Sequence, residues 1–167
     1  MSRLIFIITH PPKEDGPNPG LTAAGYICAE KMAQAMPKPF HTVCCGMGKR
    51  HIQTARALGL WLPDYFSSVF GVPESRDRTR NVLILTDGTE IPYERYTFVT
   101  DRKKLLVEAI NGLPHQSAVV TSRPTLKTLG YEHDAKDGTI YSYNPDTRAI
   151  KEVFSGANDI GAGAQEV

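Results

Sequence analysis

Three short apolar runs, each closed by polar or cationic residues, constrain the fold of this chain more than any other feature. The first is Leu4-Ile5-Phe6-Ile7-Ile8, ending at Thr9-His10. The second, Thr42-Val43-Cys44-Cys45, is broken by Gly46-Met47-Gly48 ahead of Lys49-Arg50. The third, Ser117-Ala118-Val119-Val120-Thr121, runs into Ser122-Arg123-Pro124. Continuous runs of this kind, rich in β-branched residues and without polar alternation, suit strands buried on both faces of a parallel sheet.

Helical segments fall between the runs. Thr22 is a fitting N-cap for a helix from Ala23 to Met36, in which Ala24, Ile27, Cys28, Met32 and Ala35 recur at about helical spacing. Pro37 and Pro39 end it. A second helix is expected over His51–Leu60, a third over Arg102–Asn111 before Gly112 and Pro114, and a short one from Thr125. Between residues 81 and 92, Asp87-Gly88 separates two apolar stretches, a strong hairpin signal. A last strand pair is expected at Gly138–Tyr143 and Ala149–Phe154, around Asn144-Pro145-Asp146. The fold class that follows is a three-layer α/β/α sandwich with a mostly parallel central sheet and an inserted β-hairpin. Residues 1–155 are expected to form one domain, and 156–167, dominated by small residues, a mobile tail.

The chain has 167 residues, of which 41% are hydrophobic, and a net charge of +1, which fits a single soluble domain. A nearly neutral chain carries no global field for nucleic acid or anionic membranes, so neither is an expected partner. Leu4–Ile8 is too short to cross a bilayer and lacks the pattern of a secretory leader. The three cysteines, Cys28, Cys44 and Cys45, form neither a disulfide framework nor a metal-ligand spacing. The expected compartment is the cytoplasm. Nothing in the sequence fixes an oligomeric state.

In an open parallel sheet, ligands gather where the strands end. If the three runs are neighbours, Thr9-His10, Lys49-Arg50 and Ser122-Arg123 meet at one edge. One imidazole and two guanidiniums there would make an anion site, since the planar fork of arginine matches phosphate. Any one of these residues alone would do no more than end a strand in water. Gly46-Met47-Gly48-Lys49-Arg50 fails as a phosphate-binding P-loop, because Val43 replaces the first glycine and Arg50 the final hydroxyl residue. Cys44-Cys45 suits packing better than redox chemistry.

These blocks, in their order, resemble the histidine phosphatase superfamily, the phosphoglycerate mutase-like fold. That family opens on a strand ending Arg-His-Gly, followed by Leu-Thr-x-x-Gly; this chain has Thr9-His10-Pro11 and Leu21-Thr22-Ala23-Ala24-Gly25. The family's Arg-Ala-x-Gln-Thr-Ala is matched by Arg50-His51-Ile52-Gln53-Thr54-Ala55, and its Ser-His-Gly by Ser122-Arg123-Pro124. The resemblance implies a phosphate pocket of two arginines and two histidines. The first histidine, at His10, would accept the phosphoryl group, and a carboxylate elsewhere would protonate the leaving oxygen. It implies no metal and no cofactor, the arginines carrying the charge of the transferring group.

The departures bear on activity. Thr9 replaces the first arginine, Arg123 replaces the second histidine, and Pro11 and Pro124 replace the glycines. The expected phosphate-binding set is therefore Thr9, Arg50 and Arg123, with His10 as nucleophile. Glu74 is the first candidate for the acid, ahead of Asp77, Glu14 and Asp15. Losing one guanidinium at position 9 and gaining one at 123 favours a divergent member. It would bind a phosphorylated small molecule or a phosphoresidue, with weak or lost phosphatase activity. The alternatives are an active metal-independent phosphomonoesterase, and an interaction module that docks a partner through the 81–92 hairpin.

Overall fold

The computed structural model describes residues 3–77 and 79–156. Along the chain the elements are β1 (Ile5–Thr9), α1 (Ala23–Ala35), β2 (Val43–Cys45), α2 (Lys49–Ala57), β3 (Tyr65–Phe66), β4 (Ser75–Asp77) and β5 (Val82–Ile84). They continue with β6 (Glu90–Pro92), α3 (Tyr93–Thr100), α4 (Arg102–Asn111), β7 (Ser117–Thr121), α5 (Arg123–Thr128), β8 (Thr139–Tyr143) and β9 (Ile150–Ser155). The main sheet has the order β3-β2-β7-β1-β8-β9. Its β3, β2, β7 and β1 are parallel, and β8 runs antiparallel to both β1 and β9. This is the expected mostly parallel sheet with helices on both faces. The expected mobile tail lies, from residue 157 onward, outside the described residues.

Strand alternation divides the core in two. Ile5 and Ile7 of β1 face one side, with Val119, Tyr141 and Tyr143, and pack on Leu106 and Ile110 of α4 and Leu126 of α5. Phe6 and Ile8 face the other, with Ala118, Val120 and Ile140, against Cys28 and Met32 of α1 and Ala55 of α2. Every residue of β1 and β7 is buried, as unbroken apolar runs require. Cys44 and Cys45 pack one into each core, and burial pushes their thiols up to about 11 and about 12, so they are packing groups.

The Asp-Gly signal at 87–88 does close a hairpin of β5 and β6. Gly88 has φ +90°, and its N–H donates to the Leu85 carbonyl. Two features go beyond the expectation: β4 joins as a third antiparallel strand, and residues 93–100 form α3. The short β3 and the start of α5 at Arg123 rather than Thr125 are further differences. Two or three pairing residues leave no readable pattern, and Pro124 suits the first helical turn, where its missing N–H costs nothing.

The segment after β1 is clamped on the sheet edge by residues whose type the packing dictates. The Pro12 carbonyl accepts from the N–H and the hydroxyl of Thr22, at 3.1 and 3.3 Å. Thr22 in turn caps α1 by accepting from Gly25 N–H at 2.9 Å. A side chain at position 25 would collide with the same Pro12 carbonyl, so only glycine fits. The Gln53 side chain of α2 accepts from Leu21 N–H at 2.7 Å, and the Asn18 side chain accepts from Lys49 N–H at 2.9 Å. The Leu-Thr-x-x-Gly block and the glutamine of the second block thus fix the loop beside His10 to both helices of that face.

Candidate active site

The register pairs Thr9 with Thr121, and Cys45 with Val120, so His10, Gly46 and Ser122 stand one step beyond three adjacent strand ends. The His10 N–H donates to the Thr121 carbonyl at 3.1 Å, and Gly46 N–H to Val120 at 2.9 Å, extending the ladder to the site. Two of the polar segments singled out in the sequence do converge with the third at one edge.

His10 is 4% exposed. Its Nδ1 lies 2.8 Å from the Pro11 carbonyl. A carbonyl only accepts, so Nδ1 carries the proton and Nε2 keeps its lone pair. Burial, and then the Arg50 charge, push the imidazole down to about 3; Lys13 and Arg123 act the same way, while the Pro11 bond opposes them. His10 is therefore neutral through the physiological range. Pro11 supplies the carbonyl that orients the ring.

His51 is the residue that sequence reasoning missed. The sequence places it only at the start of a helix, yet it is fully buried, with its ring edge-on to His10 at 5.4 Å and 76°. Gly48 N–H donates to its Nδ1 at 3.1 Å, which fixes that nitrogen as the acceptor. Its proton must then sit on Nε2, which donates to Ser122 Oγ at 2.8 Å. The ring fits only because its neighbours lack side chains: a Cβ at position 46, 48 or 71 would overlap it. Burial and then Arg50 hold it well below the ordinary histidine value. The available signal was that a histidine stands where the resembling motif has alanine, in a chain that lacks the motif's second histidine.

Arg50, at the first turn of α2, is 8% exposed. Its Nη2 donates to the Val72 carbonyl at 3.2 Å, while Nε and Nη1 are buried with no hydrogen-bond partner among the described residues. Burial lowers its pKa to about 10, against the opposing charges of Asp137 and Glu74; Arg102 adds to the lowering. A buried guanidinium with two unanswered donors is costly without an anion. Gly48 makes room for it, because a Cβ there would lie 2.8 Å from Nη1.

The other expected residues divide. Arg123 is partly exposed, and its Nε pairs with Asp137 at 3.1 Å. Glu74 is half-buried within electrostatic reach of Arg50 and Tyr96. Asp77 instead accepts from Arg80 and from the N–H of Thr79, in the turn after β4, which removes it as an acid at this edge. Glu14 and Asp15 are exposed in the loop after β1. The expectation that Thr9 edges the pocket is corrected. Its side chain follows the strand alternation to the face opposite His10, where it is fully buried. There Oγ1 donates to the Lys136 carbonyl at 2.6 Å and accepts from Thr139 N–H at 3.0 Å. Threonine at this position ties β1 to the β8 entrance rather than offering a donor.

The assembled site is a neutral imidazole with a lone pair on Nε2 and a buried cation with two nitrogens unpartnered among the described residues. It is ringed by the further charges of Lys13, Arg123 and Arg102 and by two carboxylates, Glu74 and Asp137. Among the described residues no group of three His, Cys, Asp or Glu side chains is placed to hold a metal ion. None of the described helices is long and apolar enough to cross a membrane.

No protein-family model matches the chain, and no curated protein sequence does either. Solved structures do. A provisionally named alpha-ribazole-5'-P phosphatase from Escherichia coli superposes with a TM-score of 0.64 at 13% identity, over 96% of this chain and 100% of that one. A variant of TTHB049 from Thermus thermophilus gives 0.62 at 13% identity, over 90% and 98%. The protein histidine phosphatase SixA, solved with tungstate, gives 0.54 at 15% identity, over 93% and 98%. The chain has the phosphoglycerate mutase-like fold of the histidine phosphatases.

Proposed function

We propose that this chain binds the phosphoryl group of a phosphorylated small molecule or phosphoresidue between His10 and Arg50, and hydrolyses it slowly through His10. The observation that carries the reading is an unprotonated His10 Nε2 within electrostatic reach of buried Arg50, whose Nε and Nη1 have no hydrogen-bond partner among the described residues. The first is a nucleophile that needs no deprotonation, and the second a preformed anion clamp.

In the reaction, Nε2 bonds to phosphorus as the bond to the leaving oxygen breaks, and Glu74 is the proposed donor of that oxygen's proton. Water then attacks the phosphoimidazole as Glu74 takes its proton, the P–N bond breaks, and phosphate, neutral His10 and protonated Glu74 result. Throughout, Pro11 keeps the proton of the ring on Nδ1. Slow turnover follows from the reduced set of donors. Thr9 offers none, and Arg123 is already paired with Asp137. A missing transition-state donor typically lowers rate by about 10²–10³. One charged contact contributes about 1.5–3 kcal/mol, so Arg50 alone retains binding.

The reading predicts chelator-resistant release of phosphate from a generic aryl phosphate that vanishes in His10→Ala. Equal release by both proteins rejects it. If neither releases phosphate, but tungstate binds the native chain and not an Arg50→Met Arg123→Met double variant, binding without turnover is the correct description.

A further inference from the structure

His10 and His51 sit edge to face in opposite tautomers, and both nitrogens of His51 are already committed. His51 therefore has no atom left for a ligand, yet the site encloses it with three glycines. What its geometry does determine is Ser122. The Ser122 oxygen accepts the His51 Nε2–H, so the hydroxyl proton must point elsewhere. That proton has no acceptor among the described residues. Ser122 precedes α5, but its side chain makes no capping bond there. The residue is half-buried, one register step past Thr121 and alongside His10 on the neighbouring strand.

We infer that the Ser122 hydroxyl is a phosphate donor aimed by His51, which acts as its positioning residue. Together they take the place of the second imidazole that the resembling motif has at Arg123. The inference rests on the phosphate-binding reading above. An imidazole one residue into α2 reaches the third strand end from the side, so the donor at the site becomes the preceding serine. The backbone N–H of Gly48 is what makes this work, since it denies His51 the other tautomer.

The test is tungstate affinity by calorimetry, with thermal melting alongside. Ser122→Ala is expected to weaken binding about tenfold or more, as loss of one hydrogen bond to a charged group does, and to lower melting, since the buried His51 Nε2–H loses its acceptor. Ser122→Thr keeps the hydroxyl and most of the affinity. His51→Ala should weaken binding as much as Ser122→Ala, and the double variant no more than either alone. His51→Gln, whose amide N–H reaches the position of Nε2–H, is expected to restore affinity to within about threefold of the native chain. Should His51→Ala fail to fold, Ser122→Ala and His51→Gln decide. Native affinity in Ser122→Ala overturns the inference while leaving the phosphate site standing, provided Arg50→Met has lost binding. Absence of tungstate binding by the native chain removes both.

Discussion

Replacing Arg50 with methionine is expected to stabilise the ligand-free chain while abolishing its affinity for phosphate analogues. Arg50 is 8% exposed, and two of its nitrogens lack partners among the described residues. Burial outweighs the favourable charges of Asp137 and Glu74, which is why its pKa falls to about 10. A charged group held in that state weakens the fold, and a methionine of similar length fills the same volume without the desolvation cost. The one bond lost, to the half-buried Val72 carbonyl, is replaceable by water. A net gain of about 1–2 kcal/mol is expected, seen as a melting temperature higher by roughly 2–8 °C. Tungstate binding should fall about 100-fold, since the unpartnered donors of the buried guanidinium are lost. Thermal melting with and without tungstate measures both. The crossing of the two effects marks Arg50 as a functional cation; a structural arginine would lose stability.

Acidification is the second large effect. His10 has its pKa pushed down to about 3 from an ordinary 6.5, and His51 is lowered as well. In the unfolded chain both rings take up protons as pH falls through 6.5, while the folded chain holds them neutral. The unfolded state then binds more protons, so stability declines as pH drops below that value and is fully present above it. The groups facing His10 are Arg50, Lys13 and Arg123, and those facing His51 are Arg50, His10 and Arg102, all cationic or neutral. None rescues the imidazolium. Between pH 8 and pH 5 the expected loss is about 2 kcal/mol from His10, and His51 adds to it in the same direction. Denaturant unfolding at the two pH values measures it, and His10→Gln should remove about 2 kcal/mol of the dependence. Stability that is level from pH 8 to pH 5 would mean that the rings gain compensating partners on protonation. Catalysis, by the same reasoning, has no rise near pH 6.5 attributable to His10.

The three apolar runs made the sheet legible, because strands buried on both faces leave a signal that needs no alternation. Ser117–Thr121 and Arg102–Asn111 match the observed β7 and α4 residue for residue. Local signals also placed Thr22 as a cap and Asp87-Gly88 as a turn. What stayed hidden depends on partners distant in sequence. Nothing around Thr9 announces that its hydroxyl meets Lys136 and Thr139, more than a hundred residues away. His51 looked like any polar helix residue, because its burial is created by glycines at 46, 48 and 71. Arg102 likewise reads as a helix start, though its Nε is held by the Ser68 carbonyl in the segment that also carries the Val72 carbonyl bound by Arg50.

The most direct test is to mix the native chain with an aryl phosphate, quench at short times, and locate any covalent phosphate by peptide mass spectrometry. The account predicts an acid-labile, alkali-stable phosphate on the peptide containing His10, absent from His10→Gln and diminished in Arg50→Met. Phosphate release with no phosphate on His10 at any time point, or a phosphate carried by another residue, would contradict it.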